Sequence, residues 1–387
     1  MSAARAWACA FAGVLVCALT CAGWLAPPAG AIAYVDGISD QDIATWDGTG
    51  DGYFANWFAK AWVEDGHIAY VRYVVQWNAM LQPSDGPNPG GDYRERFEAW
   101  YDAVEAHTPS LTLDLSLSNF VEGGHARPTP SQYREALERI LDYATAARVV
   151  EPWNEPDNGG EAQGLATGTH VAPVRAAEYA MQAATACNAH RCTTVVGNLL
   201  DCETCQMVRY EHEYREALKG WSFRDWGMHP YVAVKQERTA TVDRFLENWG
   251  DGATSLWLTE VGAFVCEDYG STVTWTEAQQ SQHAEWLVKN LLPGAAHVFY
   301  YDFLDGYNEQ PQRECEAREG KPDTALYVPG GGAAGWAGSG TPDRPRPAAA
   351  WIFDDQPRAP MWAAFAELDS MADPPVALED PHAGDHL

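Results

Sequence analysis

The run Arg148-Val149-Val150-Glu151-Pro152-Trp153-Asn154-Glu155-Pro156-Asp157 is short, apolar and β-rich at its start, and stops at proline with carboxylates at its end. A helical pattern precedes it, Ser131–Ala147, with Ser131 as the expected cap and Glu135 in the first turn. Another follows it, Pro173–Ala186. A strand between two amphipathic helices is the repeating piece of a parallel sheet. Working outward, β-rich runs recur at Ala31–Ile38, Ile68–Trp77, Leu111–Leu117, Thr193–Leu200, Phe223–Tyr231, Ser255–Thr259 and Val298–Leu304. The helical intervals are Tyr53–Val63, Tyr93–Ala106, Met207–Leu218, Thr239–Trp249, Thr276–Leu291 and Pro360–Leu368. Eight alternations predict an α/β fold, a (β/α)8 TIM barrel with one catalytic domain over 32–371. An open doubly wound sheet is the alternative, but no glycine fingerprint follows the first run. Long loops at Asn78–Asp92, Glu161–Ala172 and Asp305–Ala348 follow strands, which a barrel places on its catalytic face.

The 387 residues carry 25 Lys plus Arg against 54 Asp plus Glu, a net charge of −29. Such a chain repels phosphate backbones and anionic membranes, so nucleic acid is excluded as a partner class. Arg5 precedes a charge-free apolar stretch from Ala6 to Ala26, then Pro27-Pro28 and Ala29-Gly30-Ala31. This reads as a secretory signal over 1–31, cleaved after Ala31, and a secreted protein with no membrane attachment afterwards. An uncleaved membrane anchor is the alternative. Residues 372–387 read as a loose acidic, proline-rich tail. Six cysteines lie beyond the signal: Cys187, Cys192, Cys202, Cys205, Cys266 and Cys315. Export suggests three disulfides. Short loop closure favours Cys187–Cys192 and Cys202–Cys205, leaving Cys266–Cys315. The rival, a zinc site using His190 with four of these cysteines, lacks standard ribbon spacing. Asp47-Gly48-Thr49-Gly50-Asp51-Gly52 starts like a calcium loop, but Phe58 stands where a bidentate glutamate is needed. No metal and no cofactor is expected.

The fourth and seventh runs each end in a carboxylate. Glu155 follows Asn154, and Glu260 follows Trp257-Leu258-Thr259. Strand ends four and seven of eight face each other across a barrel mouth. A carboxyl pair so placed suits glycosidic bond cleavage. In Trp226-Gly227-Met228-His229-Pro230-Tyr231, strand alternation points His229 and Tyr231 the same way. Arg72, on the face shared with Val74 and Gln76, is a cation able to keep a nucleophile ionised. Trp153 and Trp77 are candidate sugar platforms, as is Trp275; alternation sends Trp257 away from Glu260, towards the helices.

These pieces resemble clan A of the glycoside hydrolases, the retaining (β/α)8 enzymes. Asn154-Glu155-Pro156 is similar to that clan's strand-four acid/base motif and Glu260 to its strand-seven nucleophile. His229-x-Tyr231 resembles its strand-six pair, and Arg72 its strand-two arginine. From Gly37-Ile38-Ser39-Asp40-Gln41 to the Arg-Pro near Pro347, the pattern also resembles secreted actinobacterial proteins distantly related to family 39. The strand-eight tryptophan of many clan members is replaced by Tyr300, Tyr301 and Phe303, of which Tyr301 is the candidate floor of the sugar site. The resemblance implies double displacement on an oligo- or polysaccharide, with Glu155 protonated, Glu260 ionised and Asn154 holding the sugar 2-hydroxyl. The non-catalytic counterpart is a carbohydrate-binding barrel; a zinc-dependent hydrolase fits less well for want of a His-rich ligand set.

Overall fold

The structure, a computed structural model, describes residues 35–39, 68–81, 93–105, 111–119, 127–158, 170–201, 207–248, 253–264, 266–268, 272–301, 327–328 and 344–345. The chain divides into two units, Met1–Asp355 and Gln356–Leu387. The first holds all the described residues. The expected helices Tyr53–Val63 and Pro360–Leu368, the signal segment and the tail lie outside them.

Twelve strands occur among the described residues: β1 Gly37–Ser39, β2 Tyr70–Gln76, β3 Thr112–Ser118, β4 Ala147–Glu151, β5 Thr193–Leu200, β6 Asp225–His229, β7 Ser255–Val261, β8 Cys266–Asp268, β9 Thr272–Thr274, β10 His297–Tyr300, β11 Tyr327–Val328 and β12 Arg344–Pro345. Eight of them close a parallel barrel in the order β1-β10-β7-β6-β5-β4-β3-β2. The fold is therefore the (β/α)8 barrel that the alternation predicts. Two antiparallel pairs, β8 with β9 and β11 with β12, lie outside the barrel wall. The helices are α1 Tyr93–Glu105, α2 Pro130–Tyr143, α3 Pro173–His190, α4 Met207–Ala217, α5 Tyr231–Gln236, α6 Ala240–Glu247 and α7 Glu277–Asn290.

Local chemistry sets several boundaries. Helix α2 begins two residues earlier than a Ser131 cap implies. Thr129 is the cap, in a reciprocal box with Gln132, and Pro130 occupies the first turn, where its missing N–H costs nothing. Thr276 and Gln279 repeat the box on α7. Helix α3 ends at Arg191 in the left-handed conformation, φ 60°, and Cys187–Cys192 bridges that turn into β5. Of the other cysteines, only the backbone of Cys266 is described.

Apolar side chains divide between two layers. Tyr70, Val149, Val195, Trp257 and Phe299 fill the barrel floor. Gly37 belongs there because the Phe299 ring stands 2.6 Å from where a Cβ would be. The larger layer, between strands and helices, includes Phe97, Trp100, Tyr133, Leu137, Tyr179 and Leu287. Trp257 is core, as expected, but it faces the floor, not the helices. The alternation argument fails at a bulge: Val298 pairs with Leu258 and Tyr300 with Val261, so three residues of β7 span two of β10. That bulge covers Thr259 and Glu260 and lets Glu260 turn to the mouth although Trp257 points inward.

Candidate active site

Arg72 is wholly buried on β2, and its planar fork organises the mouth. Nε and Nη2 donate to the two Glu151 oxygens, both at 2.7 Å. Nη1 donates to Ser39 Oγ at 3.0 Å and to Glu260 Oε2 at 2.7 Å. Nη2 also donates to Asn154 Oδ1 at 2.6 Å. Because arginine has only donors, the orientation of the Asn154 amide is fixed by this contact. Burial opposes the charge on Arg72, but Glu151, Glu260 and Asp114 outweigh it and hold the guanidinium firmly protonated. Asp114, buried beside Glu151, has its pKa pushed well up by burial and then by the Glu151 charge.

Glu260 accepts a second hydrogen bond at Oε1 from Tyr231 Oη, 2.8 Å away. Burial, then the Glu260 charge, raises the Tyr231 pKa well above the usual phenol range, so the phenol keeps the proton it donates. Strand β6 stops at His229, and Tyr231 opens helix α5. The two side chains converge through a strand-to-helix turn at Pro230, and not by alternation along one strand. Tyr301 is half-buried, and its hydroxyl is near enough to contribute to the Tyr231 shift.

Glu155 sits at φ 43°, in the left-handed region that side chains seldom occupy. Its N–H donates to Asn198 O at 3.1 Å, and its C=O accepts from Asn158 N at 3.0 Å. Oε1 lies 2.9 Å from His229 Nδ1, and Oε2 accepts from Asn158 Nδ2 at 2.8 Å. Burial works to raise the Glu155 pKa, but the hydrogen bond and charge of His229, then Asn158 and Arg72, bring it below its usual value. His229 moves the opposite way. Burial lowers its pKa, while Glu260 and Glu155 more than reverse that. The proton of the pair therefore favours His229 over Glu155. The expectation of a protonated Glu155 considered Glu260 alone; the histidine, in direct contact, collects the proton instead. His229 Nε2 is buried without a hydrogen-bond partner.

One carboxylate oxygen from each of Glu155 and Glu260, and a ring nitrogen of His229, lie within 4.8 Å of one another. This is the donor set that could hold a metal ion among the described residues. A cation there would compete with Arg72 for Glu260 and with the proton of His229 for Glu155, and would add charge beside a guanidinium. The geometry suits a proton-handling carboxyl pair better.

The tryptophans fall elsewhere. Trp153 is 2% exposed and stacks on Tyr179 at 4.9 Å. Trp77, 8% exposed, belongs to the same helix-facing core. The fold puts both outside the cluster around Glu155 and Glu260, because each points from its strand end towards the helices. Trp275 is half-buried, stacks on Phe264 at 5.8 Å and has the Lys235 ammonium 5.6 Å from its ring centre. Ser39, Glu151, Asn158, Asn198 and Thr259 are site residues that the sequence reading passed over. Glu151 stood in view as the last residue of an apolar strand. Asn198 carried a fainter sign, a Gly-Asn pair inside a β-rich run, which marks a bulge.

No protein-family model matches the chain, and no curated protein matches it. Among solved structures it is similar to a family 39 glycoside hydrolase from the gut symbiont Bacteroides cellulosilyticus, at 14% identity and a TM-score of 0.48 over 76% of this chain. The chain spans 60% of the length of that structure. It is also similar to a family 5 mannosidase from Rhizomucor miehei, at 11% identity and TM-score 0.44, covering 70% of this chain and 81% of that one. A family 17 β-1,3-glucanosyltransferase from the same organism matches at 11% identity and TM-score 0.45, over 71% and 89% of the two chains. The likeness is one of fold.

Proposed function

We propose that the chain is an exported O-glycoside hydrolase that cleaves a neutral or weakly charged glycan with retention of anomeric configuration. The observation that carries this reading is that chain segments at the ends of β4 and β7 bring one oxygen of the Glu155 carboxylate and one of the Glu260 carboxylate within 4.8 Å of each other, which favours the closer of the two spacings glycosidases use. Retaining enzymes hold their carboxyl groups about 5–5.5 Å apart, inverting ones about 6.5–9.5 Å. The two environments differ in the direction the chemistry needs. Glu260 accepts from Arg72 and Tyr231, as a nucleophilic carboxylate should. Glu155 is joined to a proton carrier, His229.

In the first step a Glu260 oxygen attacks the anomeric carbon as the bond to the leaving oxygen breaks. Glu155 protonates that oxygen, drawing the proton across its hydrogen bond from His229 Nδ1. Entry of a sugar removes water and places a basic oxygen beside Glu155, which favours the proton on the carboxyl. The Glu260 ester is neutral, so Arg72 then serves Glu151 and Asn154. In the second step the Glu155–His229 pair takes a proton from water as it attacks the same carbon, and Glu260 leaves as a carboxylate. Asn154, oriented by Arg72, would donate its amide to the 2-hydroxyl, a contact that strengthens as oxocarbenium character grows.

A neutral substrate follows from the state of the cations. Arg72 and His229 are both paired with carboxylates, and the chain carries −29 overall. The Cys187–Cys192 bridge supports export to an oxidising compartment. The test is a panel of aryl glycosides and wall polysaccharides, run with the full chain and with Glu260→Gln. Turnover that the variant loses by at least about 10³-fold is expected, as when a nucleophile is removed. Sugar binding without turnover on any of the panel would replace the enzyme with a carbohydrate-binding barrel.

A further inference from the structure

We propose that Asn198 is a positioning residue that sets the spacing of Glu155 and Glu260, an inference that rests on the glycosidase reading of that pair. Asn198 ties its own strand β5 to β7 and to the turn that follows β4. Its backbone C=O accepts the Glu155 N–H at 3.1 Å. Its Oδ1 accepts from Thr259 Oγ1 at 2.8 Å, and Thr259 is the residue before Glu260. Its Nδ2 donates to Val195 O on its own strand at 2.9 Å. The acid/base just beyond β4 and the nucleophile on β7 are thus joined through one fully buried residue, the first at its backbone carbonyl and the second, by way of Thr259, at its side-chain amide.

Three features are arranged to allow this. Gly197 and Asn198 take φ 95° and 52°, and β5 slips against β6 between Gly197 and Leu199. Asparagine is one of the few side chains that tolerates the left-handed region. Across the barrel wall, Gly227 supplies the space. A Cβ there would stand 2.0 Å from Asn198 Oδ1 and 3.0 Å from Thr259 Oγ1. A bulge alone would need glycine or asparagine at the turn. It would not need the amide to be spent on β7, nor a neighbouring strand stripped of its side chain to admit it. Strain that is stored at a buried turn and aimed at two reacting groups is the pattern expected of a functional constraint.

Thr259→Val removes the donor, Gly227→Ala pushes the amide out, and Thr259→Ser keeps the hydroxyl. The assay uses the full chain and an aryl glycoside that the parent cleaves. Thr259→Val and Gly227→Ala should each lower kcat by about 10- to 100-fold, as displacements near 1 Å do, with KM little changed. Thr259→Ser should restore most of the rate. Because Glu260 takes part in both steps, the loss should be equal for activated and poor leaving groups. A second arm needs no substrate: the NMR titration of His229, which senses Glu155, Glu260, Arg72, Asp157 and Asp201. Its midpoint should fall in both damaging variants as Glu260 withdraws. Variants that lose thermal stability yet keep kcat, leaving-group dependence and the His229 midpoint would make Asn198 a fold element only and overturn the inference. If instead Glu260→Ala and Glu155→Ala retain the parent rate, the glycosidase reading itself fails, and the positioning role fails with it.

Discussion

The Glu155–His229 contact makes a pH profile out of one proton. The two groups share it across 2.9 Å, so the proton that matters for catalysis leaves with the pair's upper macroscopic pKa. That value lies above the ordinary histidine value of 6.5, because the charges of Glu260 and Glu155 overcome burial at His229. Activity should therefore fall on the alkaline side through a limb above 6.5. His229→Asn leaves a lone carboxyl to hold the proton. A lone site cannot exceed the upper pKa of the pair it came from, so the alkaline limb of kcat/KM should move to lower pH. General acid–base help should also shrink, by about 10- to 10²-fold for poor leaving groups. A limb that stays in place after this substitution would assign the proton elsewhere. At this scale the sequence exposed carboxylates near strand ends and a cation within a strand, since Glu155, Glu260 and Arg72 are out of place on apolar runs unless they are used. It did not expose Asn198 or the partnership of His229 with Glu155. Both depend on bulges, which shift register by one residue and leave no periodic trace.

Elements were legible where pattern alone builds them. Strand β5 matches its run residue for residue, and the run beginning at Thr276 starts on its capping box, whereas the box of Thr129 with Gln132 displaces the serine that the pattern offers as a cap. The run Phe223–Tyr231 places Tyr231 on a strand, yet it begins a helix, because Pro230 can close either one. Helix α4 carries a feature that no pattern announces. Glu211 is fully buried with both carboxylate oxygens lacking a hydrogen-bond partner. Burial raises its pKa from 4.5 to about 8, with the Arg215 charge opposing and the Asp157 charge adding to the rise, and burial raises that of Asp157 to about 8 as well. Over that window the folded chain holds protons that the unfolded chain has released, so folding stability declines as pH rises from 4.5 towards 8. Glu211→Met removes the ionisable group at similar volume. It should be near neutral at pH 5 and stabilising at pH 8, by about 1–3 kcal/mol, the cost of an unpaired buried polar group. Denaturant melts at the two pH values check this; a variant that is equally destabilised at both would show that Glu211 is packed, not frustrated.

The whole molecule converts sequence distance into proximity through one rule. A closed parallel barrel puts every strand's carboxyl end on one face and its inward side chains in one interior, so Arg72 on β2 and Glu260 near the end of β7, 188 residues apart, meet at 2.7 Å. That is why the candidate site could be read from strand ends before any contact was known. The tryptophans misled because a large ring at a strand end packs on the helices as readily as it faces the mouth. The central claim is that Glu260 attacks and Glu155 handles the proton. Azide rescue with an activated aryl glycoside tests it most directly. With Glu260→Ala, azide should enter the vacated nucleophile site and give a glycosyl azide of inverted configuration. With Glu155→Ala, the glycosyl-enzyme should still form, and azide should release it with configuration retained. Proton NMR of the two products reads the outcome. Retained product from Glu260→Ala together with inverted product from Glu155→Ala would contradict the assignment of roles, and parent rates in both variants would remove the site altogether.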